Sequence, residues 1–207
     1  MTMIVQGVNV PRPAAAGAGE ASGAAGAWPR LVPATGPVEV GLSGLGGEDL
    51  RERDYAALFV DDPDEHHISH ALYAYPTVHH AFWRTVRAQA RVTAFGEVDA
   101  PLPPALFDEH LALDGIQESQ LWVGDVLRFP GCELVVTAPR LPDARFNVTL
   151  GFPKAAKMVA ESRWCGFWLA VRLQGRIAAG EPFQVVPGPR ATGIVELFRE
   201  RTQGRAY

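Results

Sequence analysis

Seven short stretches rich in β-branched or aromatic residues recur along this chain, most of them bounded by Gly, Pro or another turn former. They span 3–10, 38–42, 55–60, 121–129, 133–137, 166–173 and 183–186. Many short strands at turn-punctuated intervals, with helices between some of them, predict a mainly β protein with peripheral helices. A closed β-barrel is the expected architecture, because closure removes exposed strand edges. Helical spacing appears over 76–90, where Val78, Phe82 and Val86 form one stripe and His79, Trp83 and Val86 overlap it. His80, Arg84 and Arg87 point the other way, as on an amphipathic surface helix. Shorter helices are expected at 153–161, where Pro153 suits a first turn, and at 193–201. Residues 11–27 are rich in Ala, Gly and Pro, with few side chains able to build a core, and predict a mobile loop.

A chain of 207 residues is read most simply as one domain over 1–207. A net charge of −4 provides no basic footprint for nucleic acid. No apolar run approaches the roughly 18 residues of a membrane span, and the N-terminus has no basic region followed by a long hydrophobic run. The expectation is a cytoplasmic protein that partners neither membrane nor nucleic acid. Cys132 and Cys165 cannot form a disulfide framework, lack zinc-knuckle spacing and read as small buried hydrophobes.

The segment Ala138-Pro139-Arg140-Leu141-Pro142-Asp143, with Arg145 just after, resembles a known sulfur-handling loop. That loop is the Pro-Arg-x-Pro-Cys-x-Lys motif in the YiiM-type branch of MOSC-domain proteins, relatives of the molybdenum-cofactor sulfurase C-terminal domain. Gly124-Asp125-Val126-Leu127-Arg128 upstream is similar to the family's central signature, at a fitting distance. Phe107-Asp108-Glu109-His110-Leu111, followed by Asp114-Gly115, resembles its Phe-Gly-Glu-Asn-Leu and x-Gly-Leu pieces. Val8-Asn9-Val10, Gly36-Pro37-Val38, the Gly44 to Gly47 turn, Ala71 to Pro76 and Gly166 to Gly180 fall in family order, so the resemblance covers nearly the whole chain. It implies a MOSC-like closed β-barrel and a pocket for sulfur chemistry or a molybdenum-pterin cofactor.

Two departures bear on that chemistry. Arg140 matches the motif's arginine and Arg145 its basic residue, but Asp143 stands where the cysteine is. A carboxylate holds no persulfide and ligates no metal through sulfur, so sulfur transfer and the molybdenum cofactor are disfavoured. Where the family has His-Gly-Gly-Pro-Asp-Lys-Ala, this chain reads Glu65-His66-His67-Ile68-Ser69-His70-Ala71. The glycines that let a backbone approach a phosphate-like ligand are gone.

Five of the six histidines, His66, His67, His70, His79 and His80, sit within fifteen residues, after the acidic run Asp61, Asp62, Asp64 and Glu65. His66, His70 and Glu65 form a candidate divalent-metal set, to which Asp143 can add. The plainer reading is solvated histidines in a polar loop, with His79 packed beside Trp83 and His80 facing solvent. Without metal, Asp143 with His70 or His110 forms an acid/base set, and Arg140, Arg145, Tyr75 and Phe107 bind substrate. Such a set suits cyclisation, elimination or isomerisation of a small organic substrate with no cofactor. The structural alternatives are an Arg140–Asp143 ion pair that closes the loop and a His110 that caps the local turn. Three functions follow: a repurposed enzyme; a non-catalytic binder of an anionic or pterin-type ligand; and a molybdenum-cofactor-dependent reductase or sulfur carrier.

Overall fold

The computed structural model describes residues 2–11, 31–46, 70–91 and 100–205. Strands β1 (Met3–Pro11), β2 (Leu31–Pro33), β3 (Val38–Gly41) and β4 (Gly44–Leu45) precede β5 (Leu72–Pro76). A 3₁₀ turn (Thr77–His79) leads into α1 (His80–Gln89), followed by β6 (Leu111–Asp114), a second 3₁₀ turn (Glu118–Gln120), β7 (Val126–Arg128) and β8 (Glu133–Pro139). Helices α2 (Ala144–Thr149) and α3 (Ala155–Ser162) come next, then β9 (Phe167–Leu173), β10 (Gly175–Ile177), β11 (Pro182–Val186) and α4 (Ile194–Thr202).

The hydrogen-bonded order is β11, β7, β8, β9, β5, β6, β1, and β1 pairs back with β11, so these seven strands close a barrel. Strand β2 extends the far half of β1, while β10, β3 and β4 form a separate small sheet. β5 and β6 run parallel, with Ala74 opposite Leu111. Parallel neighbours cannot be joined by a tight hairpin, and the chain between these two carries α1 as its crossover.

Strand alternation sorts the side chains into two cores. Leu72 and Ala74 of β5, Leu111 and Leu113 of β6, Leu134 and Val136 of β8, and Phe167, Leu169 and Val171 of β9 share the barrel interior. Tyr73 and Tyr75 of β5 and Trp168 of β9 face outward and pack with Trp83 of α1, Phe146 of α2 and Val159 of α3. Burial on both faces leaves all five residues of β5 out of water.

A bulge near the end of β8 changes its parity. Val136 lies opposite Leu169 but Ala138 lies opposite Trp168, so Thr137 is an extra residue against β9. Ala138 therefore joins the outer core instead of the interior, and the chain leaves the barrel beside α2 with Arg140 next in line.

Several expectations need correction. The stretch 121–129 forms a strand only over Val126–Arg128, because Asp125 folds the preceding residues into a turn by accepting the Trp122 amide. The helix expected at 76–90 opens with a 3₁₀ turn; it buries His79, Trp83 and Val86 as expected, but Val78 is 56% exposed and Arg87 is buried. His80 does not simply face solvent, since its ring is partly buried and stacks towards Tyr75 and Phe107. His79 stacks on Trp164. The helices near 153–161 and 193–201 are present as α3 and α4, and both cysteines are buried and free. The expected strand at 55–60 and most of the loop at 11–27 lie outside the described residues.

Candidate functional site

Arg140 organises the outer core. Its guanidinium lies 4.8 Å from the Tyr73 ring centre and 4.5 Å from that of Phe146, held between two aromatic faces. It also donates to the carbonyl oxygen of Phe107. Burial opposes its charge, but Tyr73, Asp108 and Asp143 outweigh that effect and raise its proton affinity above that of an ordinary arginine. This cation sits on the outer face of the barrel wall, because apolar side chains fill the interior.

Asp143 caps α2. One carboxylate oxygen accepts the Arg145 amide at 2.8 Å, while the other accepts Nε at 3.0 Å and a terminal guanidinium nitrogen at 2.6 Å from the same residue. The expected Arg140–Asp143 pair is thus replaced by an Asp143–Arg145 pair two residues apart. Burial works against the charged Asp143, yet Arg145 and Arg140 hold its carboxyl below the usual carboxylate range.

Tyr75 and Phe107 come together as a parallel stack 4.0 Å apart. Trp83 donates its indole N–H to the Tyr75 hydroxyl at 2.7 Å. Phe107 sits in a turn where Ala105 and Asp108 both take left-handed backbone angles, φ 57 and 58, unusual for residues with side chains. His110 is 1% exposed, and its Nδ1 accepts the Tyr73 amide, which places the proton of the neutral ring on Nε2. Burial, then the nearby Arg140, pushes its pKa down to about 4, so the ring is neutral at physiological pH. It ties the start of β6 to β5 and does not cap the local turn, the structural alternative to its acid/base role. His70 touches the group through Trp168, edge to face at 5.2 Å, and Trp168 in turn lies 5.2 Å from Tyr73.

Arg140, Asp143, Arg145, Phe107, Tyr75 and His110 therefore share one neighbourhood, with His70 at its margin. Glu65 and His66 lie outside the described residues, and among the described residues no group of three or more His, Cys, Asp or Glu is placed to hold a metal.

Sequence reasoning missed several members. Tyr73 and Phe146, the two faces around Arg140, have no distinctive spacing from it. Glu109 was visible only as a motif letter. It is 2% exposed, accepts the Phe107 amide at 2.9 Å, and burial raises its pKa to about 7. Beneath the site, Glu118 accepts the Gly166 amide at 2.8 Å with one oxygen and meets His79 Nε2 at 2.7 Å with the other. Cys165 is fully buried beside these groups, and burial pushes its thiol well above the ordinary range.

The chain is similar to several known proteins. Over 116 residues the chain is 26% identical to the protein YflK of Bacillus subtilis, and over 117 residues 28% identical to the protein YiiM of Escherichia coli. Each match takes in 56% of this chain and 48% of the relative, so the chain spans about half the length of the curated relatives it matches. The crystal structure of YiiM from Geobacillus stearothermophilus shares the fold with a TM-score of 0.66 at 22% identity, covering 99% of this chain and 86% of that one. Its Escherichia coli counterpart superposes at 0.62 with 21% identity, over 81% and 70% of the two chains. No helix among the described residues is long and apolar enough to cross a membrane. The MOSC domain model matches residues 54–184, well over half of the sequence, and this chain belongs to the MOSC domain family.

Proposed function

We propose that this protein binds a small, anionic organic molecule against Arg140. The observation that carries the reading is a guanidinium held cationic and oriented between the faces of Tyr73 and Phe146 and anchored by the Phe107 carbonyl. A preoriented arginine recognises carboxylate or phosphate oxygens. A molybdenum-pterin group ligated through loop sulfur does not fit this chain. Position 143 offers a carboxylate engaged by the α2 cap and Arg145, and the nearby thiol, Cys165, is sealed in the core with its proton firmly held.

The test is a titration with carboxypterin, a fluorescent planar carboxylate, followed by quenching. Wild type is expected to bind and Arg140→Ala to bind roughly tenfold to a hundredfold more weakly, the worth of charge-assisted hydrogen bonds. Equal affinity in both proteins, or no binding by wild type, rejects the reading.

A second reading, an acid/base enzyme acting on such a ligand, is favoured by one observation. Glu109 has a pKa near 7 directly behind Phe107, within the range where a carboxyl exchanges protons at neutral pH. Conversion of bound probe to a different compound, read by chromatography and NMR so that an isomer of equal mass is also seen, supports the enzyme; recovery of unchanged probe after long incubation supports the binder.

A further inference from the structure

Phe107 links two groups that otherwise have no direct bond. Its carbonyl oxygen accepts from Arg140, and its amide donates to the Glu109 carboxylate at 2.9 Å. Resting on the binding reading above, we infer that an anion arriving at Arg140 is accompanied by one proton, which Glu109 takes up.

The carboxyl is almost fully enclosed. Its partners are amides of its own turn: Phe107 donates directly, and the Ala105 and Glu109 amides also favour the ionised form. Asn9 from β1 donates to the Glu109 carbonyl, which fixes the backbone. Facing it are Tyr73 from β5, with Glu118 beyond that ring, and Asp108 and His110 on its own segment. Across Phe107 lie His80 of α1 and Arg140. His80 is held near pKa 4 by burial and by its neighbours His79 and Arg84, and His110 near 4, so neither is a cation at neutral pH. Arg140 is the cation that Phe107 joins to this turn.

A bound anion offsets the Arg140 charge and draws the guanidinium away from the Phe107 carbonyl. Both effects make the ionised Glu109 less favourable: one adds negative potential, and the other disturbs the turn whose amides solvate the carboxylate. Burial, aided by Asp108 and opposed by the turn's amides, has already brought its pKa to about 7, so a modest further push is enough to change its protonation. Linkage is reciprocal, and protonated Glu109 must therefore favour the anion by the same factor.

Calorimetric titration of the intact chain with carboxypterin, just above neutral pH in two buffers of different ionisation enthalpy, reads the proton directly. Wild type is expected to take up as much as one proton per ligand, and its affinity to fall by up to about tenfold per pH unit above the carboxyl's midpoint. Glu109→Gln is expected to bind with neither proton uptake nor this pH dependence. Binding by wild type without uptake, or uptake that persists in Glu109→Gln, overturns the inference while leaving the binding reading intact. If wild type fails to bind, the binding reading falls and the linkage with it. A carboxyl-carbon NMR titration of ligand-free wild type needs no variant: a Glu109 midpoint in the ordinary carboxylate range overturns the inference, and a midpoint near neutral supports it.

Discussion

At the scale of single residues, the loop position that distinguishes this chain is occupied by its own structure. Asp143 satisfies an otherwise unpaired amide at the start of α2 and holds Arg145 in place. Asp143→Ala is expected to cost about 1–2 kcal/mol in chemical denaturation, while Asp143→Ser, which can still cap, costs less. The motif letters made this residue conspicuous, but its partner was misjudged. Sequence distance does not reveal that Arg140 is claimed by Phe107, Tyr73 and Phe146, which leaves Asp143 to the nearer Arg145. Glu109 carries a second prediction. Its folded pKa of about 7 exceeds the ordinary 4.5, so the folded state binds the proton more tightly than the unfolded one. Its favourable contribution is complete below about pH 4.5 and disappears as pH rises through about 7, an expected loss of roughly 3 kcal/mol. Denaturation across this window should show the decline in wild type relative to Glu109→Gln.

At the scale of elements, the turn from α3 into β9 is clamped at three consecutive residues. Trp164 accepts from the Tyr75 hydroxyl, Cys165 from the Tyr73 hydroxyl, and Gly166 donates to Glu118. Gly166 takes φ +65, and a Cβ there would stand 2.5 Å from both the Ala74 carbonyl oxygen and the Tyr73 hydroxyl. Gly166→Ala is therefore expected to lose about 2–4 kcal/mol from left-handed strain and overpacking, read as a lower melting temperature and denaturation midpoint. It should also weaken probe binding, because Tyr73 supports Arg140. Strand recognition succeeded where β-branched runs were bounded by turns, as in β1, β8 and β9. It failed at β5, whose five residues are buried on both faces and so lack polar alternation. The overlapping stripe of His79, Trp83 and Val86 on α1 was legible, but Val78 and Arg87 were misassigned, because periodicity identifies a helix but not where its first turn begins, and Val78 falls in the 3₁₀ turn over Thr77–His79.

At the scale of the whole molecule, a closed seven-stranded wall separates an apolar interior from an outer core in which the polar groups collect. Each barrel strand has neighbours on both sides, while β3, β4 and β10 form a three-stranded sheet of their own. Native-state hydrogen exchange should therefore show the amides of β5, β8 and β9 opening only with global unfolding, and those of β3 and β10 opening at lower free energy. A single exchange free energy across both sheets would contradict this partition.

By itself, the sequence determined the mainly β architecture, through short strand-forming runs, turn residues and the ordered motifs. It also determined which residue replaced the loop cysteine and hence what that position cannot ligate. Only the tertiary structure decided that Tyr73, Phe107 and Phe146 surround Arg140, that His110 lies locked between strands, and that Glu109 is enclosed near neutral pKa. The reason is physical: periodicity and turn chemistry act over a few neighbouring residues. Burial, charge and hydrogen-bond choice depend on partners brought from distant parts of the chain by barrel closure, the β8 bulge and the crossover helix.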